Sequence, residues 1–233
     1  SRTNLAVVDP TTGEQTEINE RGPDVTAEEL DRFLAKLLYL ARGARICVIA
    51  GSLPPSVPAS FASRMVADLK EIGVETILDT EGEPLRDGLR AGPAAVTPNV
   101  SEAEGVVDHE FNDREDLVAG LRSLVELGAG DAVITRESGC VAAIQEGEHR
   151  RLYEVTAPSL EPVATVGSGD AFLAGFVAAR FDGRPPREAL RFAVACGAES
   201  TQHFGAGTID PTALGSISER VEIHNLDTPA AVR

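Results

Sequence analysis

Apolar residues recur along this chain with two different periods, and the switches between them mark out its elements. The opening run "NLAVVDPTTGEQTEI" alternates, with turn-forming residues from Asp9 to Gly13 between two short extended stretches, which predicts a β-hairpin. The next stretch, "VTAEELDRFLAKLLYLARG", carries leucines at helical spacing; Thr26 is placed to cap it, Glu29 follows three residues on, and Gly43 stops it. From Arg45 onward, β-branched runs alternate with amphipathic segments: "ARICVIAG", a helix over 58–72, "VETILDT", a helix over 82–90, "AAVTPN", a helix over 113–128, "DAVIT", "GCVAAIQ" and "RRLYEVT". Helices over 168–181, 186–202 and 211–218 precede a polar tail. Short strands separated by helices predict an α/β fold, a mostly parallel sheet covered by helices on both faces. Ligands of open α/β sheets gather beyond the C-terminal ends of the strands, so chemistry is expected just after them.

Composition narrows the class. With 233 residues, 42% of them hydrophobic, the chain can bury one sizeable core. No apolar run is long enough to span a bilayer, and the first residues lack the apolar block of a secretion signal. Cys47, Cys140 and Cys196 are odd in number and lie in apolar neighbourhoods, so they read as buried free thiols in a reducing, cytoplasmic setting. Thirty-seven acidic residues against 21 basic ones give a net charge of -16, and Lys36 and Lys70 are the only lysines. That field repels nucleic acid and anionic membrane, and suits solubility in a salty medium.

The stretch "ATVGSGDAFLAGF" carries the candidate chemistry. Gly167, Ser168 and Gly169 leave backbone amides uncovered where a helix begins, and such an N-terminus favours an anion. Asp170 beside that anion would repel it unless the carboxylate serves a reaction. In phosphoryl transfer it does: amides stabilise the moving phosphoryl group while a carboxylate accepts the proton of the attacking hydroxyl. Read alone, the same four residues could equally be a tight turn whose Asp caps the helix.

Thr165 to Asp170, continued by Phe172, Ala174, Gly175 and Phe176, resembles the C-terminal signature of the ribokinase-like, or PfkB, carbohydrate kinases. The resemblance covers nearly the whole chain. It implies a ribokinase-like sheet with a small β lid, with Asp170 as catalytic base and Gly167, Ser168 and Gly169 as anion hole. "TPNVSEAE" is similar to the family's Asn-x-x-Glu motif, which implies that Asn99 and Glu102 organise, largely through water, the Mg2+ that travels with ATP. Thr135 and Gly139 in "ITRESGCVAA" are implied to lie in the nucleotide loop, here one residue shorter and with Glu137 near a missing glycine. Thr165 and the glycines Gly205 and Gly207 of "TQHFGAGT" are likewise implied nucleotide contacts. "AGSLPPSVP" and "ILDTEGEPL", the latter with Asp79 at a strand end, match further loops of the family. His203 has no ligand set beside it and reads as a surface or packing residue.

Ala164, where the signature usually has an acidic residue, is similar to the branch acting on sugar phosphates, such as 1-phosphofructokinases and tagatose 6-phosphate kinases. That branch holds its substrate's phosphate with a Thr-Arg-x-Asn stretch, which "SRTN" resembles through Arg2 and Asn4. Ala6 and Thr97 stand where the branch commonly has lysines. The implied activity is ATP-dependent phosphorylation of a ketohexose phosphate, with fructose 1-phosphate to fructose 1,6-bisphosphate foremost. Tagatose 6-phosphate, fructose 6-phosphate or a free sugar are the alternatives, and a non-catalytic sugar-nucleotide binder is the alternative of another class. A hydrolase using Ser168 lacks the nucleophile-elbow spacing. Residues 1–22 are expected to form part of the lid, through which family members often dimerise, and residues 23–233 the kinase core. The family's N-terminal segment, with a Gly-Gly motif and a sugar-gripping Asp, is expected but is not in this sequence.

Overall fold

The computed structural model describes residues 2–9, 11 and 15–227. Strands β1 (Asn4–Val8) and β2 (Gln15–Asn19) pair antiparallel, from Asn4 opposite Asn19 to Val8 opposite Gln15. Most of the turn expected between them lies outside the described residues. Alternation leaves this ribbon with little core of its own, and Leu5, Val7 and Ile18 are all exposed.

Helix α1 (Ala27–Ala41) begins in the capping box expected from its sequence, in which Thr26 Oγ1 accepts from the Glu29 amide and Glu29 accepts from the Thr26 amide. Its buried Leu34 belongs to a small cluster with Phe61 and Met65 of α2 (Ser60–Glu71).

The body is a seven-stranded sheet in the order β3 (Ile46–Ala50), β4 (Glu75–Asp79), β5 (Ala95–Val96), β6 (Asp131–Arg136), β7 (Gly139–Glu146), β8 (His149–Thr156), β9 (Glu222–Asn225). Strands β3 to β6 are mutually parallel and the remaining pairings antiparallel, so five of the seven strands run one way, with β7 and β9 against them. Strand β9 lies in what the sequence presents as a polar tail. Its burial is slight, and main-chain bonding to β8 holds it.

Side-chain alternation splits the core between the two faces. Ile77, Ala95 and Val133 face α6 (Ser168–Phe181), α7 (Pro186–Ser200) and α8 (Leu214–Arg220), which contribute Phe172, Phe176, Leu190 and Ile217. Leu78, Val96 and Ile134 face α3 (Gly82–Arg90), α4 (Val100–Val107) and α5 (Arg114–Glu126) through Leu85, Leu89, Val106 and Leu121. Helices α6 and α7 pack so closely that a Cβ added at Gly175 would lie 2.8 Å from the Cys196 sulfur. This close packing fixes the direction of the helix whose first turn carries Asp170.

Candidate active site

The C-terminal ends of β3, β4 and β5 gather polar groups. The Gly51 amide donates to the Asp79 carbonyl at 2.8 Å, and the Thr80 hydroxyl donates to the Gly51 carbonyl at 2.9 Å. Buried Thr97, at a position where the sugar-phosphate branch commonly has lysine, donates its hydroxyl to Asp79 Oδ1 at 2.8 Å. Burial pushes the Asp79 carboxyl up to about 6, against the Thr97 hydrogen bond, and the charges of Glu102 and Asp170 push it further the same way. Asp79 is therefore a member of the site that strand pattern alone marked only as a strand end. A carboxylate closing a run as apolar as "TIL" was the available signal.

Asn99 caps α4. Its Oδ1 accepts from the Glu102 amide at 3.0 Å and the Ser101 hydroxyl at 2.8 Å, while Glu102 Oε2 accepts from the Asn99 amide at 2.9 Å. Burial raises the Glu102 carboxyl, and the nearby charge of Glu81 adds to that. Among the described residues no three acidic, histidine or cysteine side chains converge tightly enough to chelate a metal ion directly. The donor set nevertheless fits Mg2+: the donors are hard oxygens, and the repulsion from Glu102 and Asp170 that adds to the effect of burial on Asp79 is what a dication bound through water would relieve.

Helix α6 starts behind Gly167, which adopts the left-handed conformation with φ of 81°. The Ser168 amide closes the turn on the Thr165 carbonyl at 3.1 Å, so it is already engaged. The first helical bond runs from the Ala171 amide to the Gly167 carbonyl, and among the described residues the Gly169 and Asp170 amides have no main-chain acceptor. Asp170 is exposed in the first turn of α6. A Cβ on Gly167 would come within 2.5 Å of the Gly207 nitrogen, which places the signature turn directly against the loop of Gly205 and Gly207. Both of those glycines also have positive φ.

That loop is tied down by a residue the sequence did not single out. Glu199, only 2% exposed, accepts from the Asp210 amide at 2.9 Å and is bonded to His203 Nε2 at 2.6 Å. His203 is thus a half-buried brace of the loop. The spacing of four residues between Glu199 and His203 on a helix end was the available signal.

Thr135 lies beside Asn99, with its amide and its hydroxyl both directed to the Pro98 carbonyl, at 2.9 and 3.4 Å. Gly139 opens β7 after a two-residue turn, and a Cβ there would lie 2.0 Å from the Val155 carbonyl oxygen, so the shortened loop is a tight hairpin pressed on β8. Arg2 donates to the Ser52 hydroxyl at 3.3 Å, which brings the ribbon onto the Gly-Ser-Leu-Pro loop after β3. Asn4 begins β1 opposite Asn19 and is exposed.

The chain is 32% identical over 185 residues to the 1-phosphofructokinase of Borreliella burgdorferi, an alignment covering 79% of this chain and 59% of that protein. With the tagatose-6-phosphate kinase of Staphylococcus epidermidis it shares 28% identity over 215 residues, 91% of this chain and 68% of the relative. The chain therefore spans roughly three fifths to two thirds of these relatives' length. Phosphofructokinase-2 of Escherichia coli, solved with substrates and products, superimposes with a TM-score of 0.84 at 26% identity, covering 93% of this chain and 70% of that one. The model of the pfkB family carbohydrate kinases matches residues 1–213, and with the signature turn, the Asn99–Glu102 cap and this sheet in place, the chain belongs to that family.

Proposed function

We propose that the chain phosphorylates a ketohexose phosphate at the expense of ATP, with fructose 1-phosphate converted to fructose 1,6-bisphosphate. The observation that carries this reading is the convergence at one sheet edge of Asp170, the left-handed Gly167 turn packed on Gly207, and the carboxylates of Asp79 and Glu102. Relatives named 1-phosphofructokinase and tagatose-6-phosphate kinase support the substrate class.

Asp170 accepts the proton of the sugar hydroxyl as that oxygen attacks the γ-phosphorus and the bond to the ADP oxygen breaks. Amides at the start of α6 hold the charge that builds on the transferred group, where the helix N-terminus favours it. Gly205 and Gly207 let the backbone approach the nucleotide, Thr165 shapes the turn beneath it, and Thr135 and Gly139 border it. Mg2+, when bound, neutralises charge on the triphosphate, and Asn99 and Glu102 would hold it through water. Arg2, with Asn4 beside it, would meet the substrate's own phosphate, since guanidinium presents a paired donor fork to such a group.

The ribbon of residues 1–22 acts in this reading as part of a lid. Leu5 and Ile18 are paired across it with Val7 on the same face, and this exposed apolar face suits pairing with a second copy. A cytoplasmic setting agrees with three free cysteines, and among the described residues no helix is long and apolar enough to cross a membrane.

The test is ADP release with fructose 1-phosphate, fructose 6-phosphate, tagatose 6-phosphate and free sugars, beside Asp170→Asn. Turnover on fructose 1-phosphate that drops by about three orders of magnitude or more in Asp170→Asn is expected for loss of a positioned base and its charge. Undiminished turnover in that variant would remove Asp170 as the base. Nucleotide binding without ADP release on any substrate would overturn the kinase reading.

A further inference from the structure

At the opposite end of the strands from Asp170 lies an open cavity of about 460 Å3, a size that admits a small metabolite. Its walls come from the residues that start or precede the parallel strands, Arg45, Glu75 and Asp131, from Arg150 on β8, and from the end of α6 with Arg180 and the following Arg184. Four arginines thus face two carboxylates, in a chain where acidic residues outnumber basic ones by 37 to 21.

The two carboxylates are already matched. Asp131, 5% exposed, is bonded to Arg180 and accepts the Gln145 amide at 2.8 Å, and Arg180 also reaches Glu75 at 3.4 Å. Arg45 and Arg150 are different. Arg45 donates to the Phe181 carbonyl at 2.9 Å and lies over the Phe181 ring at 5.0 Å. Arg150 donates to the Gly130 carbonyl at 2.7 Å and the Ala143 carbonyl at 3.4 Å. Carbonyls and a ring face orient a guanidinium without cancelling its charge, and among the described residues neither arginine has an ion-pair partner. Arg184 is paired with exposed Asp182 at 3.2 Å and stacked 4.4 Å above Phe192. The N-terminal turn of α7, with Pro186 and Ala189 in the lining, favours an anion, while the nearby C-terminal end of α6 opposes one. The arginines therefore decide the sign of the site.

We propose that this cavity binds a phosphorylated small molecule, with Arg45 and Arg150 as its principal ligands and Arg184 at the rim. It is separate from the catalytic edge: Asp170 and Arg180 are ten positions apart on α6, about 15 Å along the helix. The test is an amide NMR map of the isotopically labelled chain titrated with inorganic pyrophosphate, with ADP saturating the nucleotide site. Saturable shifts at Gly130, Gln145 and Gly183, weakened at least tenfold in apparent affinity in Arg45→Gln, are expected. Arg150→Lys, which keeps the charge but loses the fork, should bind with intermediate affinity. Shifts confined to Gly167–Gly169 and Gly205–Gly207, or none at the cavity in the unaltered chain, would overturn the proposal. The map of the unaltered chain decides it whether or not either variant folds, and it does not depend on any kinase activity.

Discussion

Asp79 shows how a single residue's surroundings set its chemistry. Half-buried at a strand end and facing two other carboxylates, it holds its proton up to about pH 6 in the folded chain, against an ordinary value of 3.8. A folded-state value raised in this way means that the native state binds the proton more tightly than the unfolded chain. Stability is then fullest below about pH 4 and falls as the pH rises through 6. Holding the proton that much more tightly corresponds to about 3 kcal/mol at neutral pH, and solvent at the strand end trims this to on the order of 2 kcal/mol. Asp79→Asn, which can still accept from Thr97, is therefore expected to raise the melting temperature at pH 7.5. That gain should shrink to nothing by pH 4, and a gain independent of pH in thermal melts would contradict this origin. Added Mg2+ should reduce the gain at pH 7.5, because a dication near Asp79 and Glu102 favours the charged carboxylates.

Among the elements, the first turn of α6 and the glycine loop after α7 form one unit. Gly167→Ala forces a left-handed alanine, at a cost of about 1–2 kcal/mol, and drives a methyl group to 2.5 Å from the Gly207 nitrogen. Lowered melting temperature together with at least tenfold weaker ATP binding is the expected pair of effects. Gly169→Ala, where an added Cβ meets nothing within 4 Å, should leave the melting temperature unchanged. Glu199→Ala removes the acceptor of the Asp210 amide and the partner of His203, so the ATP KM should rise far more than kcat falls, and Glu199→Gln should restore most of it. If kcat alone fell, Glu199 would not be acting by positioning the loop. The helices and parallel strands were legible because their apolar spacing is dictated by burial on one or two faces, as with the leucines of α1 and the "TIL" of β4. Helix α4 was not legible as a helix, because eight residues carry barely two turns of pattern. Strand β9 was not legible, since its pairing is a main-chain matter that its mostly exposed side chains do not record. The signature turn was readable from its glycines. Its contact with Gly207 and the Glu199 tether were not, because they join residues that only the packing of α6 on α7 brings together.

For the whole molecule, a net charge of -16 makes self-repulsion a general load on the compact state. Local ion pairs do little to offset it. Arg32–Glu28 and Arg64–Asp31 are more than half exposed, and such pairs contribute about 0–1 kcal/mol. Added salt shortens the screening length from about 10 Å at 0.1 M to about 3 Å at 1 M, which weakens repulsion between carboxylates spread over the surface more than attraction between groups already in contact. Raising potassium chloride over that range should therefore raise the melting temperature. A gain of 1 kcal/mol corresponds to about 2–4 °C in a chain of this size, so a rise of several degrees is expected. The same range in a variant with several exposed carboxylates changed to amides, for example at Glu71, Glu110 and Glu126, should give a visibly smaller rise. Equal rises in both proteins would assign the effect to salting-out of apolar surface, and a fall with salt would show that the surface ion pairs, not the net charge, dominate the electrostatics of this fold.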